Sequence, residues 1–139
     1  MQLNIYQVDA FTDEVFGGNP AGVVPDATEL SDMDMKNIAR EMNLSETAFI
    51  FTKDRDNFKV RFFTPMCEVD LCGHATIGSF YSLAKKGYIT PIDNGVKKVF
   101  QETRAGNLLV EIYYSDGEVY KVMMEQGEPK SLGHINEVD

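Results

Sequence analysis

The amino-acid sequence predicts an α+β domain, a twisted and mostly antiparallel sheet curled around one helix, with a second helix outside. Three observations predict it. Short segments with period-two alternation recur along most of the chain. Only two stretches carry apolar residues at helical spacing, one behind Ser31 and one over residues 75–86. The second is rich in small residues (Ala75, Gly78, Ser79), which suits a helix wrapped closely by strands.

The elements follow in order. Residues 3–11 alternate apolar and polar, as a half-buried strand does. Residues 16–22 form a Gly/Asn/Pro cluster that reads as a turn, followed by the apolar pair Val23-Val24. Ser31 reads as a helix N-cap, with Asp34 three residues on. Met35, Ile38, Ala39 and Met42 then share one helical face. Residues 46–52 and 57–64 read as strands, the latter stopped by Pro65. In the helix over 75–86, Ile77, Phe80, Tyr81 and Ala84 repeat at helical spacing. Lys85 and Lys86 complement its negative end, and Gly87 caps it. Strands follow over 98–103, 108–114 and 118–125, the last two joined through Asp116-Gly117 as a hairpin. From Gln126 the chain turns polar with Gly and Pro. This divides it into a lobe over 1–126 and a linker or tail over 127–139.

Composition bounds the function. The 139 residues fit one domain, and 43% hydrophobic content suffices for a packed core. A net charge of −9 with no basic stripe argues against a nucleic-acid partner. No apolar run reaches membrane-spanning length, and the N-terminus lacks the basic and apolar regions of a secretory leader. Cys67 and Cys72 imply no disulfide framework, so a reducing cytoplasm is the expected setting. With His74 and His134 as the only histidines, a structural zinc site lacks ligands, and no metal is expected.

Two segments carry the chemistry. Glu68-Val69-Asp70-Leu71-Cys72-Gly73-His74-Ala75-Thr76 puts a Gly-His pair where a strand hands over to a helix. A helix start offers unpaired N–H groups and partial positive charge, so it holds carboxylates well. Upstream, Asn43-Leu44-Ser45-Glu46-Thr47-Ala48-Phe49 sets one carboxylate in an apolar stretch. A carboxyl kept from water holds its proton more tightly, which suits a general acid or base near neutrality. Glu46 is therefore the candidate for proton transfer, against the plainer reading of a solvated strand residue. His74 handles protons or hydrogen bonds at the helix start, or serves local bonding only. Gly73 permits close approach of a ligand to the backbone, or merely makes a tight turn. Ser45 donates a hydrogen bond to substrate or caps the backbone. Cys72 is an alternative reactive group at the same helix entrance, or an inert buried thiol.

These segments in this order resemble the amino-terminal half of the PhzF family of phenazine-biosynthesis-like proteins. The matching pieces are Gln7-Val8-Asp9-Ala10-Phe11-Thr12, Gly18-Asn19-Pro20-Ala21, the Asn43–Phe49 segment, Phe63-Thr64-Pro65 and the Glu68–Thr76 segment. The resemblance implies one lobe of the diaminopimelate epimerase-like fold, with an active site between two such lobes. It implies a cofactor-independent isomerase in which Glu46 shuttles a proton between carbons. His74 would help hold a small carboxylate substrate, and Ser45 and Gly73 would lie along it. The best-known reaction of the family isomerises a dihydro-hydroxyanthranilate. Family members are about twice as long. Their second lobe brings an Asp-Pro-Ala-Thr-Gly segment and a further acidic residue, so the partner expected here is a second lobe or another copy in a homodimer. A cysteine-based racemase or epimerase of the same fold is the alternative chemistry, and a non-catalytic single-lobe binding or assembly module is the alternative class.

Overall fold

In the computed structural model, residues 3–10 and 19–125 are described. Their element order is β1 (Tyr6–Ala10), β2 (Asn19–Val24), α1 (Asp32–Met42), β3 (Glu46–Asp54), β4 (Asn57–Phe63), β5 (Glu68–Val69), α2 (Gly73–Lys85), β6 (Gly95–Thr103), β7 (Gly106–Ser115) and β8 (Glu118–Met124). The strands form one sheet in the order β1-β2-β3-β4-β6-β7-β8, with β5 also pairing β4. Most pairings are antiparallel; β2/β3 and β4/β6 are parallel. Helix α2 touches β1 and β2 at one end of the sheet and β7 and β8 at the other, so the sheet curls around it.

Two apolar clusters lie on opposite faces. On the inner face Ala48, Ile50, Phe58, Val60 and Phe62 pack against Ala75, Phe80 and Leu83 of α2. Phe58 meets Phe80 edge-on at 5.6 Å between ring centres. Ala75, Thr76, Gly78, Ser79 and Ser82 are all buried, and these short side chains let the strands come close. Tyr81 departs from its expected place, standing 37% exposed at the rim, while Leu83 takes an inward position. On the outer face Met35 and Ala39 of α1 bury against Val24, Ala27, Phe49 and Phe63.

Ser31 caps α1 as its spacing predicts. Its hydroxyl accepts from the Asp34 N–H at 3.0 Å, and the Asp34 carboxylate accepts from the Ser31 N–H at 3.0 Å. Asn43 closes the helix in the left-handed region with φ 51°. Gly87 follows α2 at φ 87°, which a side chain rarely adopts. The hairpin turn at Asp116 and Gly117 has positive φ at both residues, as Asp-Gly turns require.

Several boundaries differ from the sequence reading. Asn19 to Gly22 extend as β2 instead of turning; the rest of that cluster, and residues 127–139, lie outside the described residues. Pro20 is tolerated because the ladder to β3 begins only at Ala21. Gly22 leaves room for the Thr47 side chain, whose Oγ1 would stand 3.2 Å from an added Cβ. Helix α2 starts at Gly73 instead of Ala75, and β6 starts at Gly95 instead of Lys98. Strand β5 was not foreseen, being two residues long.

Strand β4 positions the rim. One edge pairs with β3 throughout. The other is shared: Asn57 to Lys59 pair with β6, whereas Phe62 and Phe63 pair with β5. The fork between them turns the chain back through β5 and delivers it to the start of α2, beside the start of β3.

Candidate active site

Glu46 is the first residue of β3, and strand alternation sends its side chain to the α2 side while Thr47 and Phe49 go to the α1 side. Cys72 is the N-cap of α2, which makes Gly73 and His74 its first two residues. The two segments meet there. His74 Nε2 stands 3.0 Å from Glu46 Oε1, with side-chain exposures of 12% and 19%. Glu46 Oε1 itself is screened from solvent. An Nε2 that carries the proton donates to this oxygen and satisfies it. This oxygen of the carboxylate is thus out of bulk water and turned to residue 74.

Cys72 completes the group. Its Sγ lies 3.4 Å from His74 Nδ1. Burial pushes the Cys72 thiol up to about 12; the N–H groups of Ala75 and His74 pull it down, and the Glu46 carboxylate adds to the rise. Such a thiol is almost wholly protonated at neutral pH.

The start of α2 has no side-chain cap and no acidic residue in its first turn. A Cβ on Gly73 would meet only Met124 Cε, at 3.8 Å, so the backbone there is approachable from outside. Ser45 is exposed one residue before Glu46. Glu46, Cys72, Gly73 and His74 therefore share one rim, and Ser45 adjoins it.

Sequence reasoning missed the support behind this rim. Gln101 on β6 is fully buried and shares a hydrogen bond with Thr76, in the first turn of α2, at 3.3–3.4 Å. Its Nε2 also lies 3.5 Å from Met124 Sδ. The available signal was period two, since Gln101 takes the inward position next after Val99, where an apolar residue is the rule.

The outer face gathers charge of a different kind. Arg61 donates Nε and Nη2 to the two oxygens of Glu68 at 2.9 and 2.8 Å, and Nη1 to Asp32 at 2.8 Å. These carboxylates raise the Arg61 pKa, and the guanidinium in turn holds Glu68 below its ordinary range. A groove of about 430 Å³ opens here, lined by Lys59, Arg61, Glu68, Glu102 and Arg104. Arg61 is already saturated by protein carboxylates, and Arg104 stands 3.3 Å from Glu68 and from Asp70. Among the described residues no helix is long and apolar enough to cross a membrane.

The pattern of the PhzC-PhzF family, described as phenazine biosynthesis-like protein, matches residues 8–133. An uncharacterized isomerase of Clostridium acetobutylicum is 46% identical over 131 residues, covering 91% of this chain and 41% of that protein. The crystal structure of a Bacillus anthracis phenazine biosynthesis protein of the PhzF family superposes with a TM-score of 0.74 at 36% identity, over 89% of this chain and 40% of that one. A hydroxyproline epimerase from Agrobacterium vitis shares the fold at a TM-score of 0.66 and 13% identity, over 88% of this chain and 40% of that one. The chain spans about two-fifths of the length of the relatives it matches.

Proposed function

The chain belongs to the PhzC-PhzF family of phenazine biosynthesis-like proteins, and from that premise we propose that it forms the proton-transfer lobe of a cofactor-independent isomerase. The observation that carries this reading is the pairing of a water-screened Glu46 oxygen with His74 Nε2 at the uncapped start of α2. The substrate is a small, unsaturated carboxylic acid of the dihydro-hydroxyanthranilate kind. Its carboxylate docks at the first N–H groups of α2, beside Gly73, with Ser45 alongside. Glu46 takes a proton from one carbon of the substrate and returns it to another. Charge that develops between the two steps is drawn toward the same helix start and His74, which also keeps the carboxyl aimed.

Glu46 is favoured over Cys72 as base because a thiol held at about 12 is protonated at neutral pH. One wall of the cleft is present here. The opposite wall comes from a second lobe of the complete protein, or from another copy in a homodimer. The outer strands of the described sheet, β1 and β8, each keep one edge without a strand neighbour to receive it. Two free cysteines fit a cytoplasmic setting.

The test uses the complete protein and a panel of small unsaturated, hydroxy and amino acids in deuterated water. NMR should show deuterium entering a carbon position of one of them. Glu46→Gln should slow that exchange by about 10²–10⁴-fold, the usual contribution of a positioned acid or base, without changing thermal stability. Undiminished exchange in this variant overturns the role of Glu46. Binding without exchange in the wild type assigns a non-catalytic binding lobe instead.

A further inference from the structure

Cys72, His74 and Glu46 offer more than a proton path. One ligand atom from each lies within 4.8 Å of the others. His74 Nε2 is 3.0 Å from Glu46 Oε1 and 4.0 Å from Cys72 Sγ. Zinc binds nitrogen, oxygen and sulfur at about 2.0–2.3 Å, so tetrahedral ligand atoms stand roughly 3–4 Å apart. Two of the three separations are already at that spacing, and the third is within 4.8 Å. Regular structure holds them there, at the first residue of β3 and at the N-cap and second residue of α2. Cysteine and histidine alone leave a zinc site short of ligands; the Glu46 carboxylate supplies the third.

The donor set also selects the metal. A thiol that ionises on binding, an imidazole and a carboxylate together suit zinc, whereas magnesium and calcium take oxygen ligands. Three protein ligands at a rim leave a fourth position open to water. The other described cysteine, Cys67, is exposed and turned into the Thr64 turn, where its N–H and C=O bond the Thr64 side chain.

We propose that Cys72, His74 and Glu46 bind one zinc ion, and that this ion and the isomerisation substrate exclude each other. On binding, the Cys72 proton leaves to solvent, the His74 ring proton shifts from Nε2 to Nδ1, and the thiolate, the unprotonated Nε2 and a Glu46 oxygen close on the metal. Glu46 is then unavailable to a substrate carbon. The binding stands independently of the isomerase reading; only its inhibitory consequence rests on that reading.

The test is direct titration of the metal-free 139-residue chain with Co²⁺ as the spectroscopic probe, followed by displacement with Zn²⁺ against a chromophoric chelator. One equivalent should bind, with intense tetrahedral visible bands and a thiolate-to-cobalt charge-transfer band. Cys72→Ser should abolish the charge-transfer band and weaken Zn²⁺ by more than about 100-fold, and His74→Gln should weaken it similarly. Cys67→Ser and His134→Asn should leave spectrum and affinity unchanged. A charge-transfer band that survives Cys72→Ser or vanishes with Cys67→Ser overturns the proposal, as does the absence of one-to-one binding. In the complete protein Zn²⁺ should stop deuterium exchange and a chelator should restore it. Zinc binding without any exchange would leave this site standing while the isomerase reading fell.

Discussion

The starts of the two helices, α1 and α2, receive opposite treatment. The first is closed from the front: Ser31 and Asp34 exchange hydrogen bonds across the cap, with Asp32 and Asp34 in the first turn. Arg61 then ties Asp32 to Glu68, so these three charges are partnered within the protein. The second helix has neither a side-chain cap nor an acid in its first turn. It is braced from behind, by Gln101 on Thr76, and its front meets Glu46, His74 and Cys72. A helix start completed by its own chain serves stability; one left uncapped toward a lone carboxylate is suited to a ligand.

The largest effect separates the two in function. Glu46→Gln should remove two to four decades of proton exchange in the complete protein while leaving its denaturant midpoint in place. Arg61→Met should do the reverse, costing about 2 kcal/mol in urea unfolding, since it strips a half-buried carboxylate of its bidentate donor. Arg61 holds Glu68 below its ordinary 4.5, so this pair's stabilisation is present above 4.5 and lost as pH falls through the lowered value. The gap between wild type and Arg61→Met should therefore be widest at neutral pH and narrow below 4.5. A gap that stays constant into acid would mean that the guanidinium acts through packing on the Phe63 ring, 5.4 Å away.

Smaller effects sharpen the contrast. Gln101→Leu should cost about 1–2 kcal/mol by leaving Thr76 Oγ1 without its partner. Because it loosens the first turn of α2, it should also raise KM in the complete protein more than it lowers kcat. Equal loss in both would point to a simple packing defect. Ser31→Ala should cost about 1 kcal/mol, the usual worth of an N-cap, and leave KM and kcat untouched.

Much of this contrast was written in the sequence. Ser31 with Asp34 announced the capped start, and the small residues of 75–79 announced a helix enclosed by strands. Glu46 and His74 were marked by chemistry: one carboxylate in an apolar run, one imidazole at a helix entrance. What period and propensity could not give was distance. That Glu46 Oε1 reaches His74 Nε2 follows from the parallel entry of β3 beside β2 and from the return through β5, both tertiary facts. Gln101 was overlooked because an inward Gln breaks the alternation without saying what it bonds. Strand β2 was misread for a related reason: Pro20 and Gly22 signal a turn locally, yet Gly22 is there to admit Thr47, a residue far along the chain. The Arg61 network was equally invisible, since its partners lie before and after it, on α1 and on β5.

The shared edge of β4 has a mechanical consequence. Strands β6 to β8 form one plate, joined internally by nine residue pairs between β6 and β7. They are stitched to the first four strands by only three, Asn57 to Lys59 against Phe100 to Glu102. Amides along that seam should exchange with solvent before those between β6 and β7.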